Sequence, residues 1–248
     1  MIWSILSFAG FLLVWQLISM TEAGGIIFAS PAAVAKRIIE YTGEGTLWKH
    51  TSASLYRVLA GFAFGFLAAI PISFLMGWYK PFRALVEPWL LFIKRIPPLA
   101  YIPLVVVAAG IGERAKIIVI FIACFLTSVI TIYQGVMNVD ETLIKAAKVL
   151  GAKDVDMFFK VVVPASTPFI ITAMKLSLSA ALTTLLASEM TGAVKGLGTM
   201  IQTASQYLQM DVVLMGIVII GVIGIALQVI ASLVEKKLTG WQERRNGK

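Results

Sequence analysis

Charge is scarce in this sequence: 14% of its 248 residues are Asp, Glu, Lys or Arg, while 59% are hydrophobic. An ordinary soluble domain carries roughly 25% charged residues, so the composition argues against a water-soluble globule. Cysteine and histidine are almost missing as well. The one cysteine, Cys124, lies in an apolar run and leaves no partner for an intrachain disulfide, and the one histidine, His50, leaves no Cys/His metal set. No G-x-x-x-x-G-K-[ST] loop occurs, so ATP phosphates are not cradled by that route. If ATP drives this protein, another subunit must hydrolyse it. Polar stretches are short and rich in turn formers, which argues against a second soluble domain, and no internal repeat or low-complexity tract is visible.

Long apolar runs fill the space these absences leave. An α-helix needs about 20 mostly apolar residues to cross the hydrocarbon core. Ile2–Met20, Val58–Tyr79, Ile117–Val139 and Val212–Val234 reach that length without a charge. Two further runs are less clean: Trp89–Ala109 carries Lys94, Arg95 and the prolines Pro97, Pro98 and Pro103, and Pro168–Met190 carries Lys175 and Glu189. The expectation is an all-α integral membrane protein of six transmembrane helices in one domain. Residues 1–50 would supply the first span and an outer interfacial helix, and residues 51–240 the core helices. Ile2–Met20 is too long for a signal-peptide core and has no basic residue before it, which favours a span.

The formal net charge of +8 is read as an orientation signal, since the basic residues sit between apolar runs. With the N-terminus inside, Lys80, Arg83, Lys94, Arg95, Lys145, Lys148, Lys153, Lys160 and the cluster from Lys236 to Lys248 share one side. Lys36, Arg37, Lys49, Arg57, Arg114, Lys116 and Lys195 fall on the other. The positive-inside rule then places both termini in the cytoplasm.

Ser30-Pro31 has the form of an N-cap followed by proline at the first helical position, opening a short amphipathic helix through about Tyr41 with Val34, Ile38 and Tyr41 on one stripe. It is expected to lie at the outer surface in a structural role. Gly61 and Gly65 form a small-xxx-small pair: either a close helix contact or the ordinary glycine content of membrane helices. His50 is expected to be an ordinary interfacial histidine. Lys175 lies near enough to its helix start to snorkel to the cytoplasm, and Glu189 either faces a water-filled cavity or marks the interface. Such thin titratable content supports no proton relay.

The segment Asp140–Pro164 is different. Leu143, Ala146, Ala147 and Leu150 follow i, i+3, i+4, i+7 spacing, with Glu141, Lys145 and Lys148 on the other faces. Gly151 suits the left-handed residue that ends a helix, and Asp154 is expected to cap a second helix from about Val155. The small alanines suit a surface onto which a partner packs closely; an amphipathic helix lying on the bilayer fits the same pattern.

Ala146-Ala147, Gly151, and then Val161, Val163 and Pro164 match the spacing of the E-A-A-x3-G-x9-I-x-L-P signature, and the chain thereby resembles permease subunits of binding-protein-dependent ABC importers. Lys145 stands where that family has Glu, which puts in doubt any ion pair made there, and Val161 and Val163 replace Ile and Leu. A second block, Arg95 through Leu104 with Pro97, Pro98 and Pro103, the Gly110-Ile111-Gly112 turn, and Ala187-Ser188-Glu189-Met190 followed by Gly196-Leu197-Gly198, is similar to the nitrate/sulfonate/taurine/bicarbonate branch.

The resemblance covers about Leu55 to Trp241. It implies a type I importer architecture and a homodimeric channel-forming half in the bacterial inner membrane. The loop of Lys145, Ala146, Ala147, Leu150, Gly151, Val161, Val163 and Pro164 would enter a groove of each of two ATPase subunits, and an extracytoplasmic binding protein would deliver cargo. No cofactor is expected in this chain, ATP and Mg belonging to the ATPase, and no nucleic-acid partner is expected. Pro97, Pro98, Pro103, Glu189 and Met190 are candidates for the pathway or its gate. The proline pair must interrupt helical hydrogen bonding, which in lipid is tolerated only against protein or a water-filled cavity, so it either lines the pathway or kinks a helix for packing. Small organosulfonates such as taurine come first as cargo, then nitrate or bicarbonate. A stand-alone ion-coupled carrier, or a membrane scaffold or enzyme, explains the loop spacing less simply.

Overall fold

The computed structural model describes residues 2–21 and 28–246, so Lys248 lies outside the described residues. The described residues form helices and connecting turns without a strand. They divide into two compact units, Met1–Tyr56 with Glu189–Ile223 and Arg57–Ser188 with Gly224–Lys248.

The first unit holds α1 (Ile2–Ser19), α2 (Pro31–Gly43), the start of α3 (Thr46–Trp78), α11 (Leu197–Gln206) and the start of α12 (Met210–Asn246). Ser30 caps α2 as its sequence requires: the hydroxyl accepts from the Ala33 N–H at 3.2 Å, with Pro31 in the first turn. The stripe of α2 does not lie open at the surface. Val34 is buried with Leu47, Leu197, Met200, Val212 and Met215, and Ile38 and Tyr41 pack against that cluster. Covering apolar area with protein works as well as covering it with lipid. Arg37 on the opposite face bonds Asp211 at 2.6 Å and Glu40 at 2.9 Å, and the bond to Asp211 raises the guanidinium above its ordinary value.

The second unit holds the rest of α3, α4 (Lys80–Lys94), a 3-10 turn at Pro98–Tyr101, α5 (Ile102–Ala109) and α6 (Glu113–Met137). After these come α7 (Glu141–Val149), α8 (Asp154–Met157), a π segment at Phe158–Val162, α9 (Val163–Ala165), α10 (Thr167–Glu189) and the remainder of α12. Helix α6 is its centre, with Val129, Ile132 and Cys124 fully buried. Both glycines of the small-xxx-small pair face it at contact distance. A Cβ on Gly61 would stand 2.6 Å from Ile120 Cγ2, and one on Gly65 would stand 2.7 Å from the Phe121 carbonyl oxygen. Only hydrogen fits there, so the packing role, and not mere composition, accounts for the pair.

Four described helices, Thr46–Trp78, Glu113–Met137, Thr167–Glu189 and Met210–Leu238, are long and apolar enough to cross a membrane. The expected span Trp89–Ala109 takes another form. Helix α4 begins earlier, at Lys80, and the chain breaks so that Lys80–Lys94 and Pro98–Ala109 meet at 95°. Proline cannot donate a backbone hydrogen bond, and it pushes the residue before it out of the helical region. The consecutive Pro97 and Pro98 therefore end one helix and start another. Counted as one span, the bent pair makes a fifth, and α1 adds the shorter apolar stretch Leu6–Ser19.

Candidate functional site

The sequence-derived docking segment folds as helix, glycine turn, helix. Asp140 opens α7, its carboxylate accepting from the Thr142 N–H at 2.8 Å, and that bond holds the carboxyl below its usual range. Gly151 closes the helix at φ +79°. Its N–H reaches the Lys148 carbonyl and the Ala152 N–H reaches the Ala147 carbonyl, both at 3.0 Å. This is a Schellman closure, which needs a left-handed residue and so selects glycine. The second helix differs from expectation at its start: Lys153 is the capping residue, and Asp154 sits inside the first turn with Asp156. The segment then widens into the π turn, where the Val163 N–H bonds Phe158 O, because Pro164 has no N–H with which to continue the α register.

Apolar side chains on this segment point away from the protein. Leu143 is 49% exposed and Leu150 is 87% exposed, Val149 and Val155 stand out as well, and Ala147 is half-buried. Lys145 turns back along the helix to Glu141, Nζ to carboxylate 2.9 Å. That bond lowers the Glu141 carboxyl and raises the Lys145 ammonium relative to their ordinary values. The acid expected at position 145 is thus met one turn earlier, paired with the lysine that replaces it. Val161 and Val163 are half-buried and Pro164 is exposed, while Val162 between them is buried with Phe74, Ile132 and Val136.

Glu189 is not open to a water-filled cavity: it is fully buried, at 0% exposure. Its Oε1 accepts from the Ser54 hydroxyl and its Oε2 from the Gly198 N–H, both at 2.7 Å, and Ser54 Oγ accepts from the Leu197 N–H at 2.8 Å. Leu197 and Gly198 are the first residues of α11, whose cap position, Gly196, has no side chain to offer. Ser54 and Glu189 supply the cap from elsewhere in the chain. His50 joins the same corner, its Nδ1 2.8 Å from the Gly196 carbonyl oxygen, which makes it a packed residue of the first unit. Met190, next along the chain, is 48% exposed. In the second unit Pro97 and Pro103 are exposed and Pro98 is half-buried.

Two cations are held in ion pairs. Lys175, expected to snorkel, bonds Glu235 of α12. Arg57, 1% exposed, makes a two-pronged pair with Glu113, Nε–Oε2 2.6 Å and Nη2–Oε1 2.5 Å. No group of three or more His, Cys, Asp or Glu able to hold a metal ion occurs among the described residues.

An all-helical chain with several helices long and apolar enough to cross a membrane, a proline-broken bent pair and a protruding glycine-closed helix pair belongs to the class of polytopic membrane proteins. More narrowly, residues 61–240 match the family described as binding-protein-dependent transport system inner membrane component, and the chain belongs to that family. It is an inner-membrane transport component. A Brucella abortus (strain 2308) protein named as an ABC transporter permease is 44% identical over 241 residues, 97% of this chain and 96% of that one. The taurine transport system permease protein TauC of Escherichia coli (strain K12) is 33% identical over 232 residues, covering 92% and 84%. The bicarbonate transport system permease protein CmpB of Synechocystis is 30% identical, covering 88% and 81%. Among solved structures, the inward-facing MetNI methionine ABC transporter matches with TM-score 0.66 at 20% identity over 78% of this chain and 96% of that one. An amino acid ABC transporter with histidines matches at 0.67 and 18%, covering 81% and 97%. These two show the fold.

Proposed function

We propose that the chain is the channel-forming subunit of an ATP-driven importer, working as a homodimer with two ATPase subunits and an extracytoplasmic binding protein. The observation that carries this reading is the exposed, glycine-closed helix pair 141–165, whose Ala146, Ala147, Leu150 and Gly151 offer a small, largely apolar surface with Lys145 and Glu141 at its rim. In this reading six spans, α1 and the bent pair included, place both termini in the cytoplasm on the side of that loop. ATP and Mg bind the partner, closure of the two ATPases draws the loops together, and the cavity turns outward to accept cargo. The chain itself carries no cofactor. Pro97, Pro98, Pro103 and Met190 line the pathway, and Glu189 holds its surroundings in place.

For cargo, an organosulfonate such as taurine stands first and bicarbonate or nitrate next, supported by the relatives that transport taurine and bicarbonate. The test is affinity purification of the tagged chain from native membranes in mild detergent, followed by labelled-taurine uptake in cells lacking the chain and cells restored with it. Recovery of an ATPase and restored uptake, competed by sulfonates, are expected. Recovery of the chain alone, with transport that follows an ion gradient without ATP, would make it a secondary carrier.

A further inference from the structure

In the second unit, a cavity of about 560 Å³ opens where the end of α3 meets α8 and the π turn. Its wall includes Phe74, Leu75, Trp78, Tyr79, Phe158 and Asp154. The aromatic rings are packed as a cluster: Phe158 meets Phe74 edge-on at 5.6 Å and Trp78 at 5.4 Å. The lining is largely apolar, and Asp154 is the only acidic or basic residue in it. The volume lies in the range of ligand-sized sites, roughly 300–1,000 Å³. It is open to the surroundings, since Leu75 and Tyr79 are both largely exposed.

The position narrows the occupant. Trp78 ends a membrane-crossing helix, and tryptophan and tyrosine at such an end mark the headgroup level. An apolar hollow at that level meets lipid tails on one side and headgroups on the other. The one charged residue in the wall is Asp154, at the start of α8. One carboxylate beside aromatic faces that attract an organic cation complements a lipid headgroup that carries an ammonium. We propose that this cavity binds one zwitterionic phospholipid with an amine headgroup, an acyl chain among Phe74, Leu75 and Phe158 and the ammonium at Asp154. The lipid would rest against α8 and the π turn, so its presence would set how firmly the protruding helix pair is held on α3. The inference needs only the membrane location of the chain, and it stands or falls apart from the identity of the cargo.

The test is native mass spectrometry of the full-length chain, delipidated and then offered dioleoyl phosphatidylethanolamine or dioleoyl phosphatidylglycerol. Expected is one retained phosphatidylethanolamine per chain at concentrations where phosphatidylglycerol is about tenfold less retained, as loss of one charge-assisted contact implies. Leu75→Trp, which fills the hollow, should abolish retention, and Asp154→Asn should erase the preference between the two lipids while total lipid stays similar. Circular dichroism of each variant identifies any that fail to fold, and Leu75→Phe then serves as the milder filling variant. Equal retention of both lipids by all variants would overturn the proposal and leave annular lipid only. Binding of tetramethylammonium with no lipid retained would overturn it in favour of a small-cation site, and protection of the hollow by a bound ATPase alone would overturn it in favour of a protein contact.

Discussion

Ser54 and Glu189, 135 positions apart, share a 2.7 Å hydrogen bond that is wholly buried, and between them they accept the first two N–H groups of α11, from Leu197 and Gly198. Glycine at 196 is required by the same arrangement, since its φ is +141° and a Cβ there would stand 2.4 Å from the Glu189 carboxyl carbon. The motif Ala187-Ser188-Glu189 and the motif Gly196-Leu197-Gly198 are therefore two halves of one helix start.

Removing the carboxylate should strand buried donors. Glu189→Ala is expected to destabilise the chain by about 1–3 kcal/mol for each donor left unpaired, and Glu189→Gln by less, since the amide oxygen still accepts one bond. Thermal denaturation in detergent, followed by circular dichroism, ranks the two. Equal melting of Glu189→Ala and wild type would mean that solvent or another group supplies the cap.

The glycine contacts on α3 make a second prediction. Gly65→Ala sets a methyl against the Phe121 carbonyl oxygen, a backbone atom that cannot swing aside, so it should cost about 1–3 kcal/mol by overpacking. Gly10→Ala, with open space at its Cβ, should leave stability unchanged. Resistance of the two variants to limited trypsin in detergent measures the difference.

Charge exchange tests the pair of Lys175 and Glu235. Lys175→Met removes the cation of a half-exposed pair at the end of its span, at a cost of up to about 1 kcal/mol. The double exchange Lys175→Glu with Glu235→Lys should recover most of that loss. Melting temperatures of the singles and the double form the cycle, and a double variant no better than either single would show that the two side chains act separately.

In the protruding segment, Gly151→Val forces a branched side chain into the left-handed region, about 1–2 kcal/mol of local strain. ATPase association should be lost while membrane insertion persists, and co-purification against alkaline carbonate extraction separates the two.

A pH dependence follows from Glu141 and Lys145. Their bond lowers the Glu141 carboxyl, so its support of α7 is complete above the ordinary glutamate value of about 4.3 and is lost as pH falls through the lowered one. Lys145→Glu turns the attraction between positions 141 and 145 into repulsion. Carbon-13 titration of the Glu141 carboxyl should show the low value in wild type and its loss in Lys145→Glu.

Much of the architecture was legible because membrane helices are written as uninterrupted apolar runs. The run at 212 lies inside an observed helix and those at 58, 117 and 168 overrun theirs by only one or two residues at the C-terminal end, and Ser30, Gly151 and the proline pair acted where they stand because caps, left-handed turns and missing donors are local effects. Asp154 was misplaced by one position because an acidic side chain is favoured both at the cap and inside the first turn of a helix. The apolar stripe of α2 pointed the right way, but a stripe does not say whether protein or lipid will cover it. His50, Ser54 and Glu189 showed no local relation at all.

The sequence by itself determined that this is a helical membrane protein of the importer-permease family, where its proline pair breaks the chain, and that a small, glycine-closed helix pair stands between two spans. Those properties depend on residues within a few turns of each other. Only the tertiary structure decided that Glu189 caps α11, that Arg57 and Lys175 are paired with Glu113 and Glu235, and that the glycines of α3 receive α6. Each joins residues tens of positions apart, and a buried polar group takes whichever partner the packing brings within hydrogen-bond reach.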